Sequence, residues 1–181
     1  SAWWGSMNLN DVRWLGVVSD THGNVANTRR AVQLFQQHAV QLVIHCGDIG
    51  SPEIPPLFVP WPTHYVFGNV DGNADSSVKG NGSLLRVAIE AAGQTLHGRF
   101  GTLVVGKRRI ALIHSDDSVR FHDAINSHQW DLICYGHTHR AECRHDAGTI
   151  VLNPGAVHCG YPPSVALVDL QTLDVTSIPL A

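Results

Sequence analysis

The chain has 181 residues, 44% of them hydrophobic, and its formal net charge at pH 7 is −3. This length suits one well-packed domain and is short for two. With 12 Lys and Arg against 15 Asp and Glu, the charge balance predicts no basic face large enough for stable nucleic-acid binding. No apolar stretch approaches the roughly 20 residues that cross a bilayer, so we expect no membrane association.

We expect residues 1–10 to form a disordered or tag-derived tail and residues 11–181 to form the single domain. Gly5 and Ser6 stand directly before Met7, the sole methionine, which indicates an expression remnant or a native, poorly ordered end. The four cysteines show no CxxC pairing, so we interpret them as free thiols. Free thiols indicate a reducing compartment, and the cytoplasm is the expected location.

The first third of the chain alternates apolar runs with a helical pattern. Residues 14–19 and 42–45 are short apolar runs typical of buried strands, and a helical repeat of apolar residues follows Asn24, a candidate N-cap. The Pro-rich stretch 52–62 predicts irregular structure, and a third strand is predicted after it. Gly, Asn and Ser enrichment at residues 72–82 predicts a surface loop, with a lid over a site as the alternative.

The remainder mixes helices with short strands. Helices are predicted from Ser83 to Ala92 and over residues 119–127. Strands are predicted at residues 65–67, 102–105, 110–114, 132–135, 141–144, 149–152, 165–169 and 175–178, the second and third of these as a hairpin. An α/β front half followed by an antiparallel back half predicts two packed sheets with helices outside.

Five short segments place metal-liganding side chains just after apolar runs. They are Asp20-Thr21-His22, Gly47-Asp48, Gly68-Asn69-Val70-Asp71, Ile113-His114 and Gly136-His137-Thr138-His139. Carboxylate, imidazole and amide groups at successive strand ends can converge at one edge of a sheet, where they form a site for two cations. The pattern therefore predicts a dinuclear metal hydrolase acting on phosphate esters.

The individual segments differ in how specific they are. Asp20 and His22 point to the same side if strand geometry persists, but alone they are more often a turn Asp and a surface His. Asn69 is a poor ligand by itself and is informative only together with the others. His137 and His139 are the most specific pair, because two imidazoles this close crowd positive charge unless both stay neutral on metals.

Taken with Asn153-Pro154-Gly155, the five segments resemble the calcineurin-like metallophosphoesterase superfamily. Length and spacing are similar to its small bacterial and archaeal phosphodiesterase branch, which is Vps29-like. The resemblance covers essentially residues 14–179. It implies an α/β fold, a four-layer α/β/β/α sandwich of two mixed β-sheets flanked by helices, with the site at the strand ends.

The resemblance also implies two metal sites that share one carboxylate. One site is implied to comprise Asp20, His22, Asp48 and His139, and the other Asp48, Asn69, His114 and His137. Asp48, Asn69 and His114 are the implied catalytic residues. The implied cofactors are two divalent ions, Mn first, with Fe, Ni, Co or Zn as alternatives. The implied reaction is hydrolysis of a phosphodiester by attack of a bridging metal-bound hydroxide.

One departure from the superfamily bears on the substrate. Phosphomonoesterase and protein-phosphatase members carry His where this chain has Val70, so an imidazole cannot protonate the leaving group there. We therefore expect a small phosphodiester with a good leaving group, with a nucleotide among the candidates. The alternatives are a Vps29-like scaffold of weak activity that binds protein partners, and a metal-binding protein without phosphate chemistry. Homo-oligomerisation stays open.

Overall fold

The structure is a computed structural model that describes residues 7–72 and 81–181. Residues 1–6 of the expected tail and residues 73–80 of the predicted loop or lid lie outside the described residues. Residues Leu9–Asp11 form a 3-10 helix, and Leu9 packs against the core, so ordered packing begins two residues before the expected boundary. The division into a tail and a single domain stays a prediction.

The described part of the chain forms two sheets and three α-helices. The strands are β1 (Trp14–Val18), β2 (Leu42–His45), β3 (Thr63–Tyr65), β4 (Thr95–Leu96), β5 (Phe100–Val105), β6 (Arg108–Ile113), β7 (Leu132–Cys134), β8 (Ala141–Asp146), β9 (Thr149–Pro154), β10 (Ser164–Asp169) and β11 (Asp174–Pro179). The helices are α1 (Val25–Gln37), α2 (Asn81–Ala91) and α3 (Ser118–Asn126), and a 3-10 turn covers Pro55–Phe58.

The strand order explains why one edge of each sheet collects polar residues. The first sheet has the order β11-β10-β1-β2-β3-β4, with β1 to β4 parallel and β10 antiparallel to β1. The second has the order β5-β6-β7-β9-β8, with β6, β7 and β9 parallel. Because parallel strands end at the same edge, the segments after β1, β2, β3, β6 and β7 come together.

Alternating burial along the strands produces a layered core. Leu15 and Val17 face the second sheet and join the cluster between the two sheets, whereas Val18 faces the layer of α1 and α2. A third cluster packs α3 on the outer face of the second sheet. Gly16 lets α1 approach, because a Cβ there would lie 2.9 Å from the Phe35 ring. The layers are helix, sheet, sheet, helix, so the predicted four-layer fold is confirmed.

Several predicted boundaries were wrong. The third strand is Thr63–Tyr65, where Thr63 pairs with Val43, rather than the more apolar residues that follow it. The helix predicted from Ser83 begins at Asn81 and ends at Ala91. The last helix begins one residue earlier than predicted, because Asp117 accepts a hydrogen bond from the Arg120 N–H as its N-cap. Strand β4 was not predicted, since two residues carry no periodicity.

Two further expectations bear on the chain's environment. The four cysteines are free thiols, as predicted, with two buried and two exposed. Within residues 7–72 and 81–181, no helix combines the length and apolar character that crossing a bilayer requires.

Candidate metal centre

The strand ends bring the predicted site residues together. Asp20 and His22 follow β1, Asp48 follows β2, Asn69 follows β3, His114 follows β6, and His137 and His139 follow β7. Two groups result, each with candidate ligand atoms within 4.8 Å of one another. The first comprises Asp20, His22, Asp48 and His139, and the second comprises Asp48, His114 and His137. Asp48 belongs to both groups.

The backbone at these positions is unusual. Asp20, Asp48 and His137 have positive φ values of 55°, 54° and 74°, and His22 and His139 share this left-handed region. Non-glycine residues adopt it at a cost of about 1–3 kcal/mol each, and such residues cluster at functional sites. The sharp turns direct side chains toward the space between the strand ends. This geometry is the local reason why neighbouring candidate ligands of one loop reach one site.

The first group surrounds Asp20 Oδ1 and Asp48 Oδ2 with imidazoles. His139 Nε2 lies 3.0 Å from Asp20 Oδ1, and His22 Nε2 lies 3.5 Å from the same oxygen. His22 Nε2 is also 3.4 Å from Asp48 Oδ2. Asp20 and Asp48 are buried, whereas His22 and His139 are half-buried, so the group opens to solvent on the imidazole side.

The second group is completed by an amide oxygen. His114 Nε2 lies 3.2 Å from Asp48 Oδ2. Asn69 Oδ1 lies 3.1 Å from His114 Nε2 and 3.2 Å from His137 Nδ1. Asn69, a poor ligand by itself, therefore stands between two imidazoles, where its oxygen can act as a ligand.

The donor set fits a pair of divalent cations. Ligand atoms about 2.1 Å from a common ion are roughly 3.0–3.4 Å apart at tetrahedral or octahedral angles, close to the spacings observed. Asp20 Oδ1 and His22 Nε2 are buried, and their contacts with each other and with His139 do not have hydrogen-bond geometry, so neither atom has a hydrogen-bond partner among the described residues. Buried polar atoms are nearly always satisfied, so these two unsatisfied atoms indicate that a ligand belongs between them.

Hydrogen bonds from the second ring nitrogens orient two of the imidazoles. His114 Nδ1 lies 2.9 Å from the carbonyl of Cys46, which leaves Nε2 free to act as an acceptor toward a cation. His139 Nδ1 lies 3.1 Å from the Cys159 thiol. Each contact fixes the ring orientation. The Cys46 carbonyl and Cys159 supply these contacts, and the sequence offered no pattern that predicts a backbone acceptor.

His45 joins the loop after β1 to the loop after β2. It is fully buried, and its Nδ1 accepts the Gly47 N–H at 3.1 Å. Thr21 Oγ1 donates to the Ile49 carbonyl, so its contact of 3.0 Å with His45 Nε2 requires Nε2 to carry the proton. Burial lowers the pKa of His45 to about 3 and keeps the ring neutral.

Two more polar residues of the motifs anchor loops. Asp71 accepts the N–H groups of Ile49, Gly50 and Gly68, and thereby joins the loop after β3 to the loop after β2. Asp71 is buried, and it does not belong to either ligand group. Its role is to fix the position from which Asp48 and Asn69 extend.

Asn153 anchors the loop after β7, which carries His137 and His139. Its side-chain amide donates to the Gly136 carbonyl and to Thr138 Oγ1, and its Oδ1 accepts the Gly155 N–H. This bonding explains why Asn153-Pro154-Gly155 accompanies the ligand segments although it contributes no ligand. The carboxylates after His114 have other roles, because Asp117 caps α3 and Asp116 pairs with Arg99.

The electrostatics favour ionised carboxylates. Burial by itself would raise the pKa of Asp20, but the imidazoles of His22 and His114 outweigh burial and lower it to about 2. For Asp48 the contact with His114 likewise outweighs burial and lowers the pKa. Two carboxylates held ionised in a largely buried site attract cations.

The fold and these paired ligand groups define a metallophosphoesterase-type domain. The sequence profile of the calcineurin-like phosphoesterase superfamily domain matches residues 14–173. The match extends over most of the 181 residues, and the chain belongs to this superfamily.

Similar proteins come from several organisms. Phosphodiesterase MJ0936 of Methanocaldococcus jannaschii is 26% identical over 171 residues, which cover 92% of this chain and 98% of that protein. The solved structure of an archaeal phosphodiesterase superposes with a TM-score of 0.80 at 25% identity, over 92% of this chain and 99% of the other. Vacuolar protein sorting 29 of Cryptosporidium parvum shares the fold, with a TM-score of 0.64 at 16% identity over 92% and 96% of the chains.

Proposed function

We propose that this chain is a metal-dependent phosphodiesterase with two divalent cations in its site. The observation that carries the proposal is Asp48, whose carboxylate belongs to two ligand groups at once. A carboxylate shared in this way can hold two cations close together, which suits in-line displacement at phosphorus. The names of the relatives, both phosphodiesterases, support the reaction class.

We assign each metal ion to one group of residues. Asp20, His22, Asp48 and His139 would hold one ion, and Asp48, Asn69, His114 and His137 the other. When bound, the ions would lower the pKa of a water molecule and neutralise charge on the phosphoryl oxygens. The protein orients His114 through the Cys46 carbonyl, excludes bulk water from the buried carboxylates, and needs no side-chain nucleophile.

Val70 limits the choice of substrate. The residue is 41% exposed beside the site, and its N–H donates to Asp48 Oδ1 at 3.1 Å. No imidazole stands at this position to protonate the departing oxygen. Diesters with good leaving groups, such as aryl or nucleoside esters, should therefore react faster than dialkyl esters. A series of diesters whose rates do not depend on leaving-group pKa would contradict this.

We further propose Mn as the working metal and the cytoplasm as the location. The two ligand groups contain carboxylate, imidazole and amide donors and no thiolate, a set that Mn accepts together with Fe, Co, Ni or Zn. The free thiols favour a reducing compartment. Elemental analysis of protein purified without added metal tests the first point.

The direct test is hydrolysis of bis(p-nitrophenyl) phosphate with added Mn²⁺. Asp48→Ala and His114→Ala should each lower kcat/KM by about 100-fold or more, because losing a ligand removes several kcal/mol of transition-state stabilisation. His122→Ala is the matched control, since His122 is exposed on α3 and belongs to neither group. Equal activity in the wild type and both ligand variants would refute the proposal.

The scaffold alternative rests on one observation, the absence of a general acid at Val70. The shared fold with a sorting protein is compatible with it, but at 16% identity that likeness shows architecture alone. A scaffold predicts that wild-type protein loaded with Mn²⁺ turns over no diester in a panel of leaving groups. Turnover that disappears in Asp48→Ala excludes a purely scaffolding role.

A further inference from the structure

A cavity adjoins the candidate metal centre on the side of His139. Its volume is about 620 Å³, and its lining includes Thr138, His139, Arg140, Tyr161 and Ser177. His139 belongs to both places, since its Nε2 approaches Asp20 while the residue also lines the cavity. A ligand in this cavity therefore reaches the edge of the metal centre. Cavities of roughly 300–1,000 Å³ hold small organic ligands.

The lining of the cavity contains one charged residue, Arg140, and no Asp or Glu. Arg140 is exposed and has no ion pair or side-chain hydrogen bond within the described part of the chain. An arginine without an acidic partner beside a phosphoryl site is suited to contact phosphate oxygens.

The outer wall of the cavity offers an aromatic face. Tyr161 lines the cavity and is fully exposed, at 104% of its reference area, so its ring is free to stack on a flat group. Hydroxyl groups of Thr138 and Ser177 belong to the same lining. Such a combination of guanidinium, exposed ring and hydroxyls matches the three parts of a nucleotide: phosphate, base and sugar.

We propose that this cavity binds the nucleoside arm of a phosphodiester substrate, with Tyr161 stacking on the base and Arg140 contacting the phosphate. The inference rests on the proposed function for the reaction itself and adds which arm of the diester the protein retains. The ester bond to the other arm is the one that water breaks, and that arm leaves as the alcohol or phenol. Tyr161 and Arg140 are then specificity-determining residues.

The kinetic test varies the retained arm alone. Thymidine 5′-(p-nitrophenyl phosphate) and methyl p-nitrophenyl phosphate share one leaving group and differ only in the group expected in the cavity. Wild-type protein with Mn²⁺ should show a lower KM for the thymidine ester. Tyr161→Ala should raise that KM by about 5- to 150-fold, the range for loss of base stacking, with little change in kcat and little effect on the methyl ester.

Arg140 is tested with a pair of substitutions. Arg140→Ala should raise the KM of both esters. Arg140→Lys should reverse part of this increase because it restores the charge. Arg144→Ala is the matched control, since Arg144 is an exposed arginine on β8 that does not line the cavity. Equal KM values for the two esters in wild type, or equal losses for both in Tyr161→Ala, would overturn the inference.

A binding measurement separates this inference from the proposed function. Calorimetric titration with thymidine 5′-monophosphate, with and without Mn²⁺, requires no turnover. If nucleotide binding weakens in Tyr161→Ala but not in Arg144→Ala, the result supports nucleoside binding in the cavity. If in addition no ester is hydrolysed, only the proposed phosphodiesterase function is refuted. If both esters are hydrolysed but Tyr161→Ala does not change nucleotide binding, the proposed function stands and the nucleoside-binding role of the cavity is refuted.

Discussion

His45 is buried between the loops that carry Asp20 and Asp48, and its replacement tests whether loop anchoring determines metal affinity. His45→Phe keeps an aromatic ring against Tyr65, whose ring centroid is 5.4 Å away in a stacked arrangement. It removes both ring nitrogens. The Gly47 N–H then loses its acceptor, and Thr21 Oγ1 loses its donor, in a site without exposure to water.

The Gly47 N–H sets the magnitude, because Thr21 Oγ1 keeps its hydrogen bond to the Ile49 carbonyl. A buried donor left without a partner costs about 1–3 kcal/mol. For a chain of this size a change of 1 kcal/mol moves Tm by roughly 2–4 °C, so we expect Tm to fall by about 2–12 °C. Because the loops carrying the ligands are no longer joined, we expect Mn²⁺ to bind about 10- to 100-fold more weakly, as when residues supporting metal ligands are removed.

The assay measures Mn²⁺ affinity by calorimetry at a temperature far below Tm, so that global unfolding does not contribute. Val43→Ala is the matched control, because Val43 is a fully buried residue of the same strand that faces the helix layer. It should lower Tm without changing Mn²⁺ affinity. His45→Asn should recover part of the affinity, since its Oδ1 can accept the Gly47 N–H.

Unchanged Mn²⁺ affinity in His45→Phe, with Tm lowered as in Val43→Ala, would show that His45 is a core residue only. An equal loss of affinity in His45→Phe and Val43→Ala would show that metal binding responds to overall stability. Either result refutes the reasoning that these hydrogen bonds position the ligands.

Three further predictions concern packing, anchoring and pH. Gly16→Ala should lower the free energy of unfolding, measured in urea, by about 1–3 kcal/mol, because its Cβ would overlap the buried Phe35 ring; an unchanged value would contradict the close packing of α1 on β1. Asp71→Asn places an amide N–H where the carboxylate oxygens accept three backbone N–H groups. The substitution should therefore weaken Mn²⁺ binding although Asp71 belongs to neither ligand group. Retention of full Mn²⁺ affinity would exclude the anchoring role. The pKa of His45 is about 3 in the folded protein and ordinarily 6.5, so the unfolded chain binds the extra proton between these values. The free energy of unfolding of the metal-free protein should therefore decline as pH falls from about 6.5 toward 3, and His45 contributes up to about 1.4 kcal/mol per pH unit to this decline. His45→Phe should show a shallower decline. Parallel curves for the two proteins would count against a neutral His45.

The clustering of the candidate ligands was predictable because a strand followed by polar residues is a local pattern. Asp20, Asp48 and His114 each follow an apolar run, and parallel strands bring such ends to one edge whatever the detailed register. His22 and His139 have positive φ values, which non-glycine residues rarely adopt, so a pattern of apolar and polar residues does not predict them. The sequence therefore indicated which residues meet but not the backbone that makes them meet.

Supporting contacts and element boundaries were less predictable. The Cys46 carbonyl that orients His114 is a backbone atom, and any residue type supplies one. Strand β3 begins at Thr63 because that residue pairs with Val43, a long-range contact that outweighs local apolar content. The anchoring by Asp71 likewise depends on three N–H groups from two loops, which only the assembled fold brings within reach.

The most direct test of the account counts the metal ions and asks whether they share a ligand. Equilibrium dialysis against Mn²⁺ should give two ions per chain, and electron paramagnetic resonance should show an exchange-coupled pair that is absent in Asp48→Ala. One ion per chain, or two ions with independent signals in the wild type, would contradict a centre bridged by Asp48.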